Sequence, residues 1–220
     1  MIKGLIFDFD GLILDTETPE YHALNEVYAD FGQNLPVELF GQTVGYQYNQ
    51  HYEPVKHLQQ LTGMPVDANA FWERVNRRRM EIIHTNQVLP GVTELLISAK
   101  HHGLKLAVAS SSPHSWVDDY LRQHGLFDYF DVIKCGDDVQ NTKPAPDLFL
   151  AALAALHLRP DEAIIFEDSS HGVMAARRAG VRVVAVPNFV TKHTEISGAT
   201  MYLGSLAEVS LDVLMARLSG

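Results

Sequence analysis

The sequence has a single cysteine, Cys135, so it can close no internal disulfide and offers no cluster of thiolates to a structural metal. A reducing compartment suits such a chain. No apolar run approaches the ~20 residues that a membrane-spanning helix needs. The N-terminal segment is strand-like and already carries Asp8 and Asp10, where a signal peptide would have a basic region, a long apolar stretch and a small-residue cleavage site. A soluble, cytoplasmic protein with no membrane partner is therefore expected. Basic residues are scarce: 17 Lys and Arg stand against 27 Asp and Glu, for a net charge of −10. That balance argues against affinity for nucleic acid, which depends on a concentrated basic face. The short cluster Arg77-Arg78-Arg79 reads as a solvated helix face. Eleven histidines occur, none in a paired spacing with an acidic partner that would recommend zinc.

What the chain does have is hydrophobic material, 46% of 220 residues, enough to bury a sizeable core. Short apolar segments bounded by turn residues alternate with longer amphipathic ones, the pattern of parallel strands joined by helices. The predicted strands run from Ile2 to Asp8, Leu104 to Ser110, Asp131 to Cys135, Ala163 to Asp168 and Arg182 to Val186. Each is apolar through its middle, as suits a parallel sheet covered on both faces. Ser112-Pro113 reads as a helix cap followed by proline in the first turn. Residues 16–88 break the alternation and read as consecutive helices without a strand. The expected architecture is an α/β, doubly wound parallel sheet formed by residues 1–15 and 89–220, with residues 16–88 inserted as an all-helical cap. In such sheets the chemistry gathers beyond the carboxyl ends of the strands.

The first strand ends in Phe7-Asp8-Phe9-Asp10-Gly11, with two carboxylates that cannot be buried cheaply without a partner. One can bind a metal and attack phosphorus while the other protonates a leaving oxygen and later deprotonates water. Taken alone, Asp-x-Asp also describes a solvated acidic turn. A second acidic pair, Glu167-Asp168, follows the fourth strand, and Asp8, Asp168 and a backbone carbonyl make an open oxygen site for a hard cation. Capping of the next helix by Asp168 or Ser169 is the structural alternative. Ser110-Ser111-Ser112 brings hydroxyls and amides to the same edge; Ser110 is expected to face phosphate oxygens and Ser112 to cap the helix. Lys143, in a loop stiffened by Pro144 and Pro146, supplies the cation that carboxylates and a transferring phosphoryl group require. His171 stands close enough to Asp168 in sequence to be a candidate substrate contact.

In this order, Phe7-Asp8-Phe9-Asp10-Gly11, Ser110, Lys143-Pro144 and Glu167-Asp168 resemble the haloacid dehalogenase-like superfamily, and the resemblance covers nearly the whole chain. It implies a Rossmann-like core and an aspartyl-phosphate intermediate on Asp8. It also implies Mg2+ held by Asp8, the Asp10 carbonyl and Asp168, with Glu167 as an additional or more distant contributor. Ser110, with Ser111 beside it, and Lys143 would hold phosphoryl oxygens. The Asp15-Thr16-Glu17 run and the helical insert after it resemble the branch that includes β-phosphoglucomutase, phosphoglycolate phosphatase and sugar-phosphate phosphatases. The expected activity is hydrolysis of a small phosphate monoester.

The alternatives are a sugar phosphomutase and, from a different class, a binding protein that keeps the fold without turnover. Gly41-Gln42-Thr43-Val44-Gly45-Tyr46 resembles a substrate-specificity loop, which makes Gly45 and Tyr46 candidate substrate contacts. It lacks the arginine expected there in the mutase, and Thr18-Pro19 sets His22 farther along than the mutase pattern. The intact set Asp8, Asp10, Lys143 and Asp168 argues against a non-catalytic protein. A monomer is expected, with a weak homo-oligomer as the alternative.

Overall fold

The computed structural model describes residues 1–44 and 53–218. The chain divides into two compact units: Met1–Leu14, Gln87–Asn188 and Glu195–Gly220 form the first, and Asp15–Asn86 with Phe189–Thr194 form the second.

The first unit is built on a six-stranded sheet of β1 (Gly4–Phe7), β2 (Lys105–Ala109), β3 (Val132–Lys134), β4 (Ala163–Glu167), β5 (Arg182–Ala185) and β6 (Met201–Tyr202). Their order is β3-β2-β1-β4-β5-β6, and every neighbouring pair is parallel. The five strands expected from the sequence are all present, each shorter than its apolar run. The sixth, Met201–Tyr202, is two residues long, too short to leave an alternation in the sequence.

Strands β1 and β4 are buried along their whole length, so the sheet is covered on both faces and apolar residues satisfy both. On one face α7 (Asp147–Leu156) and α8 (Ser170–Arg178) pack through Leu148, Phe149, Ala152 and Val173 against Ile6, Ala107, Ala109 and Ile165. Small residues on β2 leave room for the α7 side chains. Phe7 and Phe166 stack across β1 and β4 with ring centroids 4.9 Å apart. The remaining helices of this unit are α5 (Val92–His101), α6 (His114–Gln123) and α9 (Leu211–Leu218).

Helix α6 corrects one expectation. It starts at His114, with Pro113 in the N-cap position and no side-chain cap, so Ser112 does not cap it. Proline fixes the helix start, and the Ser112 hydroxyl is used elsewhere.

The second unit carries α1 (Glu17–Asp30), α2 (Val37–Gly41), α3 (Pro54–Thr62) and α4 (Ala68–Ile83), and no strand occurs among its described residues. Glu53 and Asp67 cap α3 and α4 by accepting backbone N–H groups of the first turn. The core of this unit joins Leu24, Val27 and Tyr28 of α1 to Leu58, Phe71 and Val75. The Tyr28 hydroxyl donates to the Pro54 carbonyl at 2.8 Å. Val190 belongs to the same core, so the segment after β5, expected within the sheet unit, packs with the helices. Of the arginine cluster on α4, Arg78 pairs with Glu26 and Arg79 with Glu20, both on α1. No helix among the described residues is long and apolar enough to cross a membrane.

Gly91 makes one demand on the fold that no other residue meets. It enters α5 at φ 88°, and a Cβ there would overlap the backbone of Leu206 and Ala207. Gly91→Ala should lower unfolding free energy by more than ~2 kcal/mol, combining backbone strain with overpacking. Urea denaturation monitored by circular dichroism will show the midpoint falling with the slope unchanged. A loss below ~0.5 kcal/mol would mean that the segment through Leu206 moves away freely.

Candidate active site

The site lies where the sheet order reverses. From β1 the chain proceeds outward through β2 and β3, then crosses to β4 on the other side of β1, leaving a crevice beyond the carboxyl ends of β1 and β4. Asp8 leaves β1 there and its N–H donates to the Phe166 carbonyl of β4 at 3.0 Å. Glu167 and Asp168 leave β4 beside it. The parallel register puts Phe7 opposite Phe166, so the two acidic pairs emerge side by side.

Carboxylate oxygens of Asp8, Glu167 and Asp168 lie within 4.8 Å of one another, and all three residues are buried. Lys143 reaches into this cluster from the loop before α7, through a cis Lys143-Pro144 bond. Its Nζ lies 2.7 Å from Asp8 Oδ1 and 2.7 Å from Glu167 Oε1, with the side chain 5% exposed. The second Glu167 oxygen accepts the Ser169 N–H and the Ser169 hydroxyl, each at 3.0 Å. Gly172 is required by this arrangement, since a Cβ would overlap the Glu167 carboxylate. Ser169 also accepts the Gly172 N–H and so is the cap of α8. That leaves Asp168 to accept from Asn188 Nδ2 at 2.8 Å.

The electrostatics follow from three clustered carboxylates, two of which face a single ammonium. Burial, then the Glu167 charge, pushes Asp8 well above the usual carboxylate range, and Lys143 offsets this only in part. Burial acts in the same direction on Glu167, but the Lys143 ammonium and the Ser169 amide outweigh it and hold the carboxyl below its ordinary value. Burial disfavours the Lys143 charge too, yet Asp8 and Glu167 raise it above an ordinary lysine. An excess of buried negative charge, with carboxylate oxygens of Asp8 and Asp168 side by side, fits a hard divalent cation such as Mg2+.

Asp10 has a different environment. Its Oδ2 accepts from the Ser112 hydroxyl at 2.6 Å and from the Ser110 hydroxyl at 3.3 Å, and its Oδ1 accepts from Trp116 Nε1 at 2.9 Å. Ser110 is buried at the end of β2, with its N–H on the Lys134 carbonyl and its Oγ accepting the Ser112 N–H. Of the sequence-predicted residues, Asp8, Lys143, Glu167 and Asp168 meet in one cluster, and Ser110 meets Asp10. Ser111 is exposed next to them, and His171 is buried in the first turn of α8. Gly45 and Tyr46 lie outside the described residues.

Sequence reasoning missed Ser112 as a donor to Asp10, Trp116 and Asn188. Asn188 follows β5 by three residues, so its position beyond a strand end was the available signal. Trp116, in the first turn of α6, carried none.

A family profile described as haloacid dehalogenase-like hydrolase matches residues 5–186. YhcW of Bacillus subtilis (strain 168) is 41% identical over 219 residues, covering 100% of this chain and 99% of that protein. The phosphorylated carbohydrates phosphatase of Thermotoga maritima is 33% identical over 184 residues, 82% of each chain. A crystal structure of mutant CbbY from Rhodobacter sphaeroides in complex with xylulose-(1,5)bisphosphate is 29% identical and covers 99% of both chains, with a TM-score of 0.73.

Removing the ammonium should expose how much the cluster depends on it. Lys143→Met leaves Asp8 and Glu167 buried without their cation and is expected to cost ~3–5 kcal/mol of stability in metal-free buffer. Adding Glu167→Gln removes part of the repulsion, so the double variant should lose less than the sum of the single losses. Additive losses in urea titrations would show that Lys143 and Glu167 are not energetically coupled.

Proposed function

The chain belongs to the haloacid dehalogenase-like hydrolase family, and from that premise we propose that it is a Mg2+-dependent phosphatase acting on small phosphorylated carbohydrates through an aspartyl-phosphate on Asp8. The observation that carries this reading is the buried Asp8–Lys143–Glu167 network at the sheet's reversal point, with Asp10 held by Ser112 and Trp116 two residues beyond the nucleophile. The named relatives support the substrate class, one being a phosphorylated carbohydrates phosphatase and another having been crystallised with a sugar bisphosphate.

In the first half-reaction an Asp8 carboxylate oxygen attacks phosphorus, the bond from phosphorus to the ester oxygen breaks, and Asp10 gives its proton to the departing alcohol. In the second, Asp10 takes a proton from water as the water oxygen attacks the same phosphorus, releasing inorganic phosphate and restoring the Asp8 carboxylate. Asp8, Asp168 and the Asp10 backbone carbonyl would hold Mg2+, which when bound offsets carboxylate charge and polarises phosphoryl oxygens. Lys143 supplies fixed positive charge to those oxygens, and Ser110, with Ser111 beside it, supplies hydrogen bonds. Glu167 acts through Lys143, since both of its oxygens are occupied by Lys143 and Ser169.

The two carboxylates divide the work by environment. Asp8 is buried among charges, where a cation is needed to keep it ionised. Asp10 is half-buried, with serine hydroxyls on one oxygen and the Trp116 indole N–H on the other.

Two measurements test the reading. Asp8→Asn should abolish Mg2+-dependent release of phosphate from sugar phosphates, and Asp10→Asn should lower kcat by ~10²–10⁴ while retaining a backbone carbonyl for the metal. Turnover by Asp8→Asn above background would exclude Asp8 as nucleophile, and unchanged kcat in Asp10→Asn would exclude Asp10 as acid and base.

The mutase alternative is separated by following free phosphate and isomer in one reaction. With a bisphosphate primer and Mg2+ present, phosphate release should exceed interconversion of β-glucose 1-phosphate and glucose 6-phosphate. The segment Gly41 to Tyr46 contains no arginine to grip a distal phosphate, and Arg78 and Arg79 are engaged by glutamates of α1. Efficient isomerisation with little free phosphate would reverse the assignment.

A further inference from the structure

We infer that His114, Asp118 and Cys135 form a second cation site, separate from the carboxylate cluster and suited to Zn2+ or a similar borderline dication rather than Mg2+. One ring nitrogen of His114, one carboxylate oxygen of Asp118 and the Cys135 sulfur lie within 4.8 Å of one another. His114 opens α6 and Asp118 follows one turn later on the same face, while Cys135 directly follows β3.

The histidine carries the argument. Its Nδ1 lies 3.1 Å from Asp118 Oδ1 and its Nε2 lies 2.9 Å from Asp138 Oδ2, so a hydrogen-bond acceptor faces each ring nitrogen. A neutral imidazole has one N–H and can satisfy only one of them. The Asp138 oxygen is itself fixed by the Cys135 N–H at 2.9 Å, which makes it the natural partner of an Nε2–H. Whichever nitrogen carries that proton, the other contact requires either a second proton, which burial opposes but Asp118 and Asp138 favour by raising the ring above an ordinary histidine, or a cation bound to both atoms. Two ligand atoms on tetrahedral zinc sit ~3.3 Å apart, close to the observed 3.1 Å. A carboxylate behind the distal nitrogen is also the usual support of a metal-bound imidazole.

The donor set decides the ion. Thiolate and imidazole favour zinc-like cations, whereas Asp8, Glu167 and Asp168 offer oxygen alone. Burial, then the Asp118 and Asp138 charges, pushes the Cys135 thiol up to about 12, so the free protein keeps it protonated and a dication that binds must displace that proton to solvent as the sulfur–metal bond forms. A fourth position remains for water.

Co2+ titration of the full-length protein in excess Mg2+ tests the site, because Mg2+ keeps the oxygen cluster filled and only a thiolate ligand gives a near-ultraviolet sulfur-to-cobalt charge-transfer band. The expected result is a saturable band at one Co2+ per chain that Zn2+ abolishes. The band should be lost in Cys135→Ser and His114→Gln, and Co2+ affinity should fall ~10–100-fold in Asp138→Asn. Absence of the band in the wild type, or its persistence in Cys135→Ser, would overturn the inference and leave His114 as a protonated ion-pair partner of the two aspartates. Should Cys135→Ser fail to fold by circular dichroism, the half-exposed His114→Gln decides alone, and unchanged cobalt affinity there overturns the site. These readouts are independent of phosphate turnover.

Discussion

The Lys143 ammonium between Asp8 and Glu167 is the interaction on which the rest of the site depends. Three buried carboxylates at the ends of two neighbouring strands repel one another, and a single ammonium at 2.7 Å from two of them makes their coexistence tolerable. The geometry around it is correspondingly over-determined. Glu167 is held from its other side by Ser169, Ser169 is positioned as the cap of α8, and α8 comes close enough only because Gly172 has no side chain. A change at any of these positions reaches Asp8 through Lys143.

The same sheet edge sorts its acidic residues by surroundings. Asp8 and Glu167 share an ion-pair network, Asp168 is oriented by an amide from Asn188, and Asp10 is gripped by two serine hydroxyls and an indole N–H. Farther along the edge, at the β3 end, nitrogen and sulfur donors replace pure oxygen. A hard cluster and a softer one are thereby kept apart on one framework.

Much of this was legible in the sequence because strand ends in a parallel sheet collect polar residues and the strands themselves must be apolar on both faces. The runs ending in Asp8, Ser110 and Asp168 marked three neighbouring strand ends, and Lys143 stood out as a lysine beside two prolines. Met201–Tyr202 was not legible, since two residues show no periodicity. Ser112 was misread as a helix cap because Ser-Pro usually starts a helix at the proline, and here the hydroxyl has a stronger acceptor in Asp10.

By itself the sequence determined the alternation of strands and helices, the helical character of the segment after Asp15, and the identities of the acidic pairs and the lysine that meet at the sheet edge. These are properties of local composition and spacing, set by periodicity and by what can be buried. Only the tertiary structure decided which atoms touch: that Glu167 faces Lys143 while Asp168 faces Asn188, that Trp116 reaches Asp10 across 106 positions, and that His114 lies between Asp118 and Asp138. Apart from the one-turn His114–Asp118 pair, those contacts join residues 20 or more positions apart in the chain. Their partners are chosen by the register of parallel strands and the approach of helices over them, which no local pattern encodes.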